Sequence, residues 1–356
     1  MDVTDKAKDI RNGEELDAAS IEAFLKARLT ELSGPLVIKQ FPGGHSNLTY
    51  LLTVGDREMV LRRPPFGTKA KSAHDMSREY KILSALQPVY PYGPKPLAYT
   101  EDESIIGCPF YVMDRIKGVI LRKDLPPDIT FNADEMRQLC VNLLDTHLKL
   151  HQVDYKSIGL GDFGKPEGYV QRQVEGWSKR YRNARTPDAP DCEATMAWLL
   201  DKMPPDCSKP GVIHNDFKFD NVVLDPKNLL KIIGVLDWEM ATIGDPLMDL
   251  GGSLAYWIQA DDHPEMHAMR FMPTHLPGAL TRTELVDLYS QKSGLSMSDH
   301  YDFYYCFGLF RLAVIAQQIY YRFYHGQTKD TRFKAMIMGV WVLENQAQRV
   351  ITASKL

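Results

Sequence analysis

The stretch His214-Asn215-Asp216-Phe217-Lys218-Phe219-Asp220-Asn221 decides how this chain reads. It lies between two apolar runs, GVI and VVL, and is followed by Leu236-Asp237-Trp238-Glu239. Phosphoryl transfer needs a carboxylate to position or deprotonate an attacking hydroxyl, and oxygen ligands that hold Mg²⁺ against phosphates. In the pattern H-x-D-x-x-x-x-N the Asp can face an acceptor while the Asn turns toward a metal. A second Asp on a nearby strand then completes the metal set. Asp216, Asn221 and Asp237 follow in that order and at those spacings. Either motif alone reads as well as an Asx-capped turn with a surface carboxylate. Their order, each beside a strand-like run, favours the catalytic reading.

Working outward, the first third is rich in β-like runs. LVIKQF and LTYLLTV are joined by PGGHSN, and LTYLLTV and EMVLRR by Gly55-Asp56, a short turn signal. A helical pattern with Ile21, Phe24, Leu25 and Leu29 on one face precedes them, and HDMSREYKILSAL and the strand-like PFYVMDRI follow. Beyond Gly118 the spacing is helical over 132–152, 167–184, 193–203 and most of 281–350, interrupted by GVIHN, NVVLD and KIIGVLDW. A β-rich start and a helical remainder predict an α+β protein, with residues 1–116 as a small lobe and 117–356 as a large one.

These residues resemble the aminoglycoside and choline kinase family of phosphotransferases, which shares the bilobal protein-kinase-like fold. HNDFKFDN is similar to that family's H-G-D-x-x-x-x-N catalytic loop, and VLDW to its metal-binding strand. The resemblance implies Asp216 as catalytic base, Asn221 and Asp237 as Mg²⁺ ligands, and His214 as a brace. Asp249, in GDPLMDLG, matches a position that supports the loop. It further implies ATP binding under the loop holding Gly43, Gly44, Ser46 and Asn47, whose glycines permit close backbone approach to phosphate. Arg62 falls where kinases carry the lysine of V-A-I-K, Glu79 where its paired glutamate belongs, and the backbone of Met113, Asp114 and Ile116 where the hinge reads adenine. Two departures stand out: arginine in the lysine position, which binds through a fork rather than a point charge, and Asn215 in place of a glycine.

RRPP at 62–65, HNDFKFDN and FGLFRLAVIAQQIYYRF look most like one branch of that family. It is the kinase-like domain fused to some acyl-CoA dehydrogenases, together with free-standing bacterial relatives. That branch implies a hydroxyacyl-CoA hydroxyl as acceptor and a functional link to an acyl-CoA dehydrogenase. An aminoglycoside kinase and a catalytically weak nucleotide-binding scaffold stay open as alternatives. The stripe Tyr169, Gln173, Trp177 and Tyr181, flanked by Arg172, Lys179, Arg180 and Arg182, reads either as bundle packing or as an acceptor wall for an acyl chain and an anionic head group.

Composition narrows the classes. In 356 residues, 42 Lys and Arg against 46 Asp and Glu leave a net charge of −4, with no general pull toward nucleic acid or anionic membrane. Five scattered cysteines without a C-x-x-C pair argue against a disulfide scaffold and fit a reducing compartment. The polar N-terminus has no apolar core for a secretory signal. The aromatic run 301–325 is broken by Arg311, Gln317 and Gln318, short of the roughly 20 apolar residues a membrane span needs. A cytoplasmic protein with a buried aromatic helix is expected. Gly159–Lys165 echoes a P-loop and contains a literal D-F-G, but it precedes the catalytic loop and has Pro166 where Ser or Thr would touch Mg²⁺; an ordinary loop is expected. Gly251-Gly252-Ser253 loosely echoes a nucleophile elbow. His147/His151 and His263/His267, spaced i,i+4 without the H-E-x-x-H glutamate, are expected as surface or cap histidines.

Overall fold

Local signals set the first elements. Asp17 accepts from the Ala19 and Ser20 amides and so starts helix α1 (Ala18–Arg28). Gly55, at φ +59°, turns the chain between β2 (Leu48–Val54) and β3 (Arg57–Arg63), as its sequence predicts. With β1 (Leu36–Gln40), β4 (Pro96–Thr100) and β5 (Phe110–Asp114) these strands form a sheet ordered β1-β2-β3-β5-β4, antiparallel throughout. Helix α2 (Met76–Leu86) lies between β3 and β4 in sequence, and the single turn α3 (Glu103–Ile106) precedes β5. The computed structural model describes residues 6–41, 47–66, 75–328 and 330–356.

Strand alternation gives this sheet two different faces. Tyr50, Leu52, Met59, Leu61, Phe110 and Val112 form one core with Ile21, Phe24 and Leu25 of α1. Each such side chain contributes roughly 1.5–3 kcal/mol by leaving water. The intervening positions face the other way, so the pair Arg62↔Tyr111 projects opposite to α1.

The helical part begins with α4 (Ala133–His151), started by a reciprocal capping box between Asn132 and Glu135. Then come α5 (Tyr169–Ala184), α6 (Glu193–Asp201) and the short pair β6 (Gly211–Ile213) with β9 (Thr242–Gly244). Between β6 and β9 in sequence lies the hairpin of β7 (Val222–Asp225) and β8 (Asn228–Val235). The remainder is α7 (Pro246–Tyr256), α8 (Pro264–Ala268), α9 (Arg282–Ser293), α10 (Tyr301–Tyr324) and α11 (Met336–Ala353).

Two compact units result, Met1–Ile120 with Asn221–Ala241, and Leu121–Asp220 with Thr242–Leu356. The hairpin β7–β8 therefore groups with the small sheet, not with the helices that flank it in sequence, a division that a single boundary after residue 116 does not describe. The reason is hydrogen bonding: Val119 and Leu224 exchange backbone bonds, and the Val235 amide donates to the Tyr92 carbonyl at 2.8 Å. The chain is α+β, with a small antiparallel-sheet unit and a large helical one.

Within the helical unit, α7 and α10 cross at glycines. A Cβ on Gly251 would sit 2.6 Å from the Tyr304 carbonyl oxygen, and one on Gly308 would sit 2.3 Å from the Gly251 carbonyl oxygen. Gly251-Gly252 thus lies inside a helix and serves close packing, which disposes of the nucleophile-elbow echo. Gly159–Gly164 lies in turns between α4 and α5. Helix α10 is the buried aromatic helix expected, and no helix among the described residues is long and apolar enough to cross a membrane.

Candidate active site

On the α2 side of the sheet, β3 presents Arg62 with its side chain 9% exposed. Its Nη1 donates to Glu79 Oε1 on α2 at 2.6 Å. Its Nη2 donates to Asp237 Oδ1 at 3.0 Å and to Glu239 Oε2 at 3.3 Å. Burial disfavours this charge, but Glu79, and after it Asp237 and Glu239, outweigh burial and hold Arg62 protonated well above its usual value. Arginine in the lysine position therefore makes the pairing with Glu79 and adds a second arm to Asp237. Asn47 is also buried, and its Nδ2 donates to Glu239 Oε2 at 2.8 Å. Glu239 is a member of this cluster to which the sequence reading gives no role, although it stands only two residues past Asp237.

Asp237 takes φ +65°, a left-handed conformation that costs a non-glycine residue about 1 kcal/mol or more. The Leu236 amide donates to the Asn221 carbonyl at 2.8 Å, which ties the two expected metal ligands to one hairpin. In these bonds one guanidinium serves three carboxylates, and Asp237 is the most exposed of them at 39%. An excess of negative charge around hard oxygen donors is what Mg²⁺ requires, so Asn221 and Asp237 fit the ion. At the expected hinge, Met113 is buried, Asp114 pairs with Arg57 at 3.2 Å, and the Asp114 amide donates to the Lys95 carbonyl at 2.8 Å. That amide is committed within the unit, as is the next, Arg115, which donates to the Glu58 carbonyl at 3.4 Å; the Ile116 backbone follows. Gly43, Gly44 and Ser46 lie outside the described residues.

In the helical unit, β6 leads into the loop holding Asp216. The loop is pinned by one carboxylate: Asp249 of α7 accepts the His214 amide on Oδ2 and the Asn215 amide on Oδ1, each at 2.7 Å. His147 and His151 of α4 reach the same Oδ2 at 2.9 and 3.1 Å. Both are buried, not surface or cap histidines, because their partner is folded onto them from a distant part of the chain. His263 does act as a cap, accepting the Glu265 amide at the start of α8. Burial and then the neighbouring His151 lower His147 to about 4, so at neutral pH it donates as an uncharged imidazole. Burial opposes ionisation of Asp249, but the donors converging on it, His147 foremost, hold its carboxyl well below the usual range. His147, His151 and Asp249 have the donor atoms of a metal site. Both Asp249 oxygens and both histidine Nε2 atoms are already spent on one another and on the loop, and His151 Nδ1 on the Tyr289 hydroxyl.

Asn215 takes φ +64°, the conformation in which a glycine would be unstrained. Its carbonyl accepts from Arg311 of α10, and its side chain from Tyr169 at 3.4 Å. Ser253 Oγ donates to the Phe217 carbonyl at 2.8 Å, and the Phe217 ring stacks on His147 at 4.0 Å. So held, Asp216 is 19% exposed and accepts a bond from Lys218 Nζ, which lies 4.7 Å from the Tyr256 ring centre. Burial works against the lysine's charge, while Tyr256 and Asp216 raise its pKa above the ordinary value. Burial, then Asp216, pushes Tyr256 up to about 12, so it remains a neutral phenol. Lys218, Tyr256 and Arg311 are missed by the sequence reading. The available signals were Arg311, a cation in the apolar middle of α10, and Lys218, two residues from the proposed base.

The structure thus gathers Asn47, Arg62, Glu79 and Asp237 in one cluster, with Asn221 bonded next to Asp237, and sets Asp216 on its braced loop in the other unit. A carboxylate beside a lysine on a fixed loop can orient and deprotonate a hydroxyl. A guanidinium among acidic oxygen donors can hold phosphate and a divalent cation.

Comparison with known proteins agrees with this chemistry. The chain is 35% identical over 313 residues to acyl-CoA dehydrogenase family member 10 of Mus musculus, covering 87% of this chain and 29% of that protein. It spans less than half the length of the curated relatives it matches. A solved structure from Ralstonia eutropha, provisionally described as an aminoglycoside phosphotransferase, matches with a TM-score of 0.80 at 29% identity, covering 96% of this chain and 100% of that one. A thermostable aminoglycoside phosphotransferase mutant solved with ADP and hygromycin B shares the fold, with a TM-score of 0.57 at 15% identity over 95% of this chain and 99% of its own. Residues 37–274 match the phosphotransferase enzyme family, and the chain belongs to it.

Proposed function

We propose that this chain is an ATP- and Mg²⁺-dependent small-molecule kinase that transfers the γ-phosphoryl group to an alcohol hydroxyl. The carrying observation is Asp216, held on a loop that Asp249 pins through two backbone amides. The acceptor hydroxyl donates to the Asp216 carboxylate, and its oxygen attacks the γ-phosphorus in line. The bond to the β,γ-bridging oxygen breaks and ADP departs, while the hydroxyl proton passes to Asp216. Lys218 compensates charge beside the carboxylate. Asn221 and Asp237 would hold Mg²⁺, which supplies charge neutralisation on the phosphates. Arg62, oriented by Glu79, would grip phosphate oxygens through its fork, and the Ile116 backbone would read the adenine edge.

As acceptor class we propose a hydroxyacyl-CoA. What supports this is the relatives' name, acyl-CoA dehydrogenase family member, which also supports action beside such a dehydrogenase. The Arg62–Glu79 bond weighs against a scaffold, since a broken clamp would leave the glutamate unpaired. The test is calorimetric titration with ATP and with GTP, with and without Mg²⁺, then an acceptor screen of hydroxyacyl-CoA esters against kanamycin. Metal-dependent binding with turnover of the esters is the expected result; turnover of kanamycin alone would transfer the chain to the antibiotic kinases, and absence of nucleotide binding would end the kinase reading.

A further inference from the structure

Helix α5 carries three arginines, and they differ in company. Arg182 makes a two-armed pair with Glu193, at 2.9 and 2.6 Å. Arg172 donates to the carbonyls of Lys165 and Glu167. Arg180 has neither kind of partner among the described residues. Its guanidinium lies 4.5 Å from the centre of the Trp177 ring. The other cation on that ring is Arg311, at 5.3 Å, so two like charges share one buried indole. Burial and the nearby Arg311 both lower the Arg180 pKa, the signature of a cation without a counter-ion.

Covering Trp177 would require only an aliphatic stem. Arg182, two residues away, is instead occupied by Glu193. The Arg180 guanidinium, over the indole and beside the Arg311 cation, offers N–H donors to an anionic oxygen. The position is functional too. Arg311 donates to the Asn215 carbonyl, one residue before Asp216, so the pair adjoins the loop that carries the proposed base.

We infer that Arg180 and Arg311, set about Trp177, form a subsite for an anionic oxygen group, a carboxylate or a phosphate, on the acceptor, and that Arg180 is a specificity-determining residue. This rests on the kinase reading and adds the charge of the acceptor to it. A polycationic drug would be repelled from this wall.

The test uses 3-hydroxybutyrate, its neutral isostere 3-hydroxybutyramide, and 3-hydroxybutyryl-CoA as probes, titrated by calorimetry with and without Mg²⁺ and a non-hydrolysable ATP analogue. Wild type, Arg180→Gln and Arg180→Lys are compared. At least one anionic probe should bind tenfold or more tightly than the amide. Arg180→Gln should remove that advantage while nucleotide affinity is unchanged, and Arg180→Lys should restore part of it. Binding of the CoA ester alone assigns the anion to its phosphates; binding of the free acid assigns it to a carboxylate. Affinity of the amide within tenfold of both anionic probes, no binding of either anionic probe, or indifference of both to Arg180→Gln would overturn the inference. If nucleotide fails to bind but charge-dependent probe binding persists, the kinase reading falls and the subsite stands.

Discussion

Two of the buried polar clusters among the described residues are mirror images in charge. Around Asp249 a single carboxylate receives two backbone amides and two histidines. Around Arg62 a single guanidinium faces Glu79, Asp237 and Glu239. The first is saturated by the chain itself, with every donor matched, as a purely supporting network should be. The second sets three carboxylates on one guanidinium, and Asp237 is the most exposed of them; each cluster holds one left-handed residue, Asn215 and Asp237. A cluster complete in itself reads as scaffolding, and one out of balance reads as a place meant for a ligand.

That contrast can be broken by experiment. The largest expected effects are on turnover. Asp216→Asn should lower kcat about 10²–10⁴-fold with nucleotide affinity retained; full activity would remove Asp216 from its role. Asp237→Asn should abolish metal-dependent turnover yet leave the urea midpoint unchanged or slightly higher, because it relieves like-charge crowding. A large loss of stability would mean that the Arg62 cluster is scaffolding as well. For the Asp249 cluster the order reverses: Asp249→Ala leaves buried donors unmatched and should cost about 3–5 kcal/mol of stability, measured by urea unfolding.

A smaller effect separates two buried groups by pH. Burial pushes the Asp245 carboxyl up to about 6, so the folded chain holds that proton more tightly than the unfolded one. The stability this contributes is full below about 4 and is lost as pH rises through 6. Asp245→Asn should therefore stabilise the protein by about 1–3 kcal/mol at pH 8 and by nothing measurable at pH 4. His147 works in the opposite sense: lowered to about 4, it contributes stability that is full above 6.5 and is lost as pH falls toward 4. The smallest change expected is Arg62→Lys, which keeps the Glu79 pair and should alter kcat/KM by less than about tenfold, since one charge replaces a two-armed fork.

Much of this was legible in the sequence, for identifiable reasons. The turn at Gly55-Asp56 and the periodicity of α1 and α4 are local signals, and they read correctly as elements; the order of Asp216, Asn221 and Asp237 is a local signal too. The burial of His147 and His151 was not legible, because it depends on Asp249 about a hundred residues further on, brought back by tertiary folding. The allegiance of the β7–β8 hairpin to the small sheet rests on a reciprocal pair of backbone bonds with Val119 and one to Tyr92, which leave no mark in hydrophobic pattern. The cationic neighbours of Trp177 were visible on α5 alone. Arg311 joins them from α10, and no spacing rule connects the two helices.

The glycine crossing of α7 and α10 has a reach beyond packing. Arg311 sits three residues after Gly308 on the same helix, close to one turn along, and ends on the Asn215 carbonyl. The thickness of the contact at Gly308 is thus a spacer that sets how far that arginine extends toward the loop. A single methyl at 308, pressed against the Gly251 carbonyl, would tilt α10 outward and withdraw the arginine. Gly308, which meets only another helix, would then tune the hold on the loop that carries Asp216.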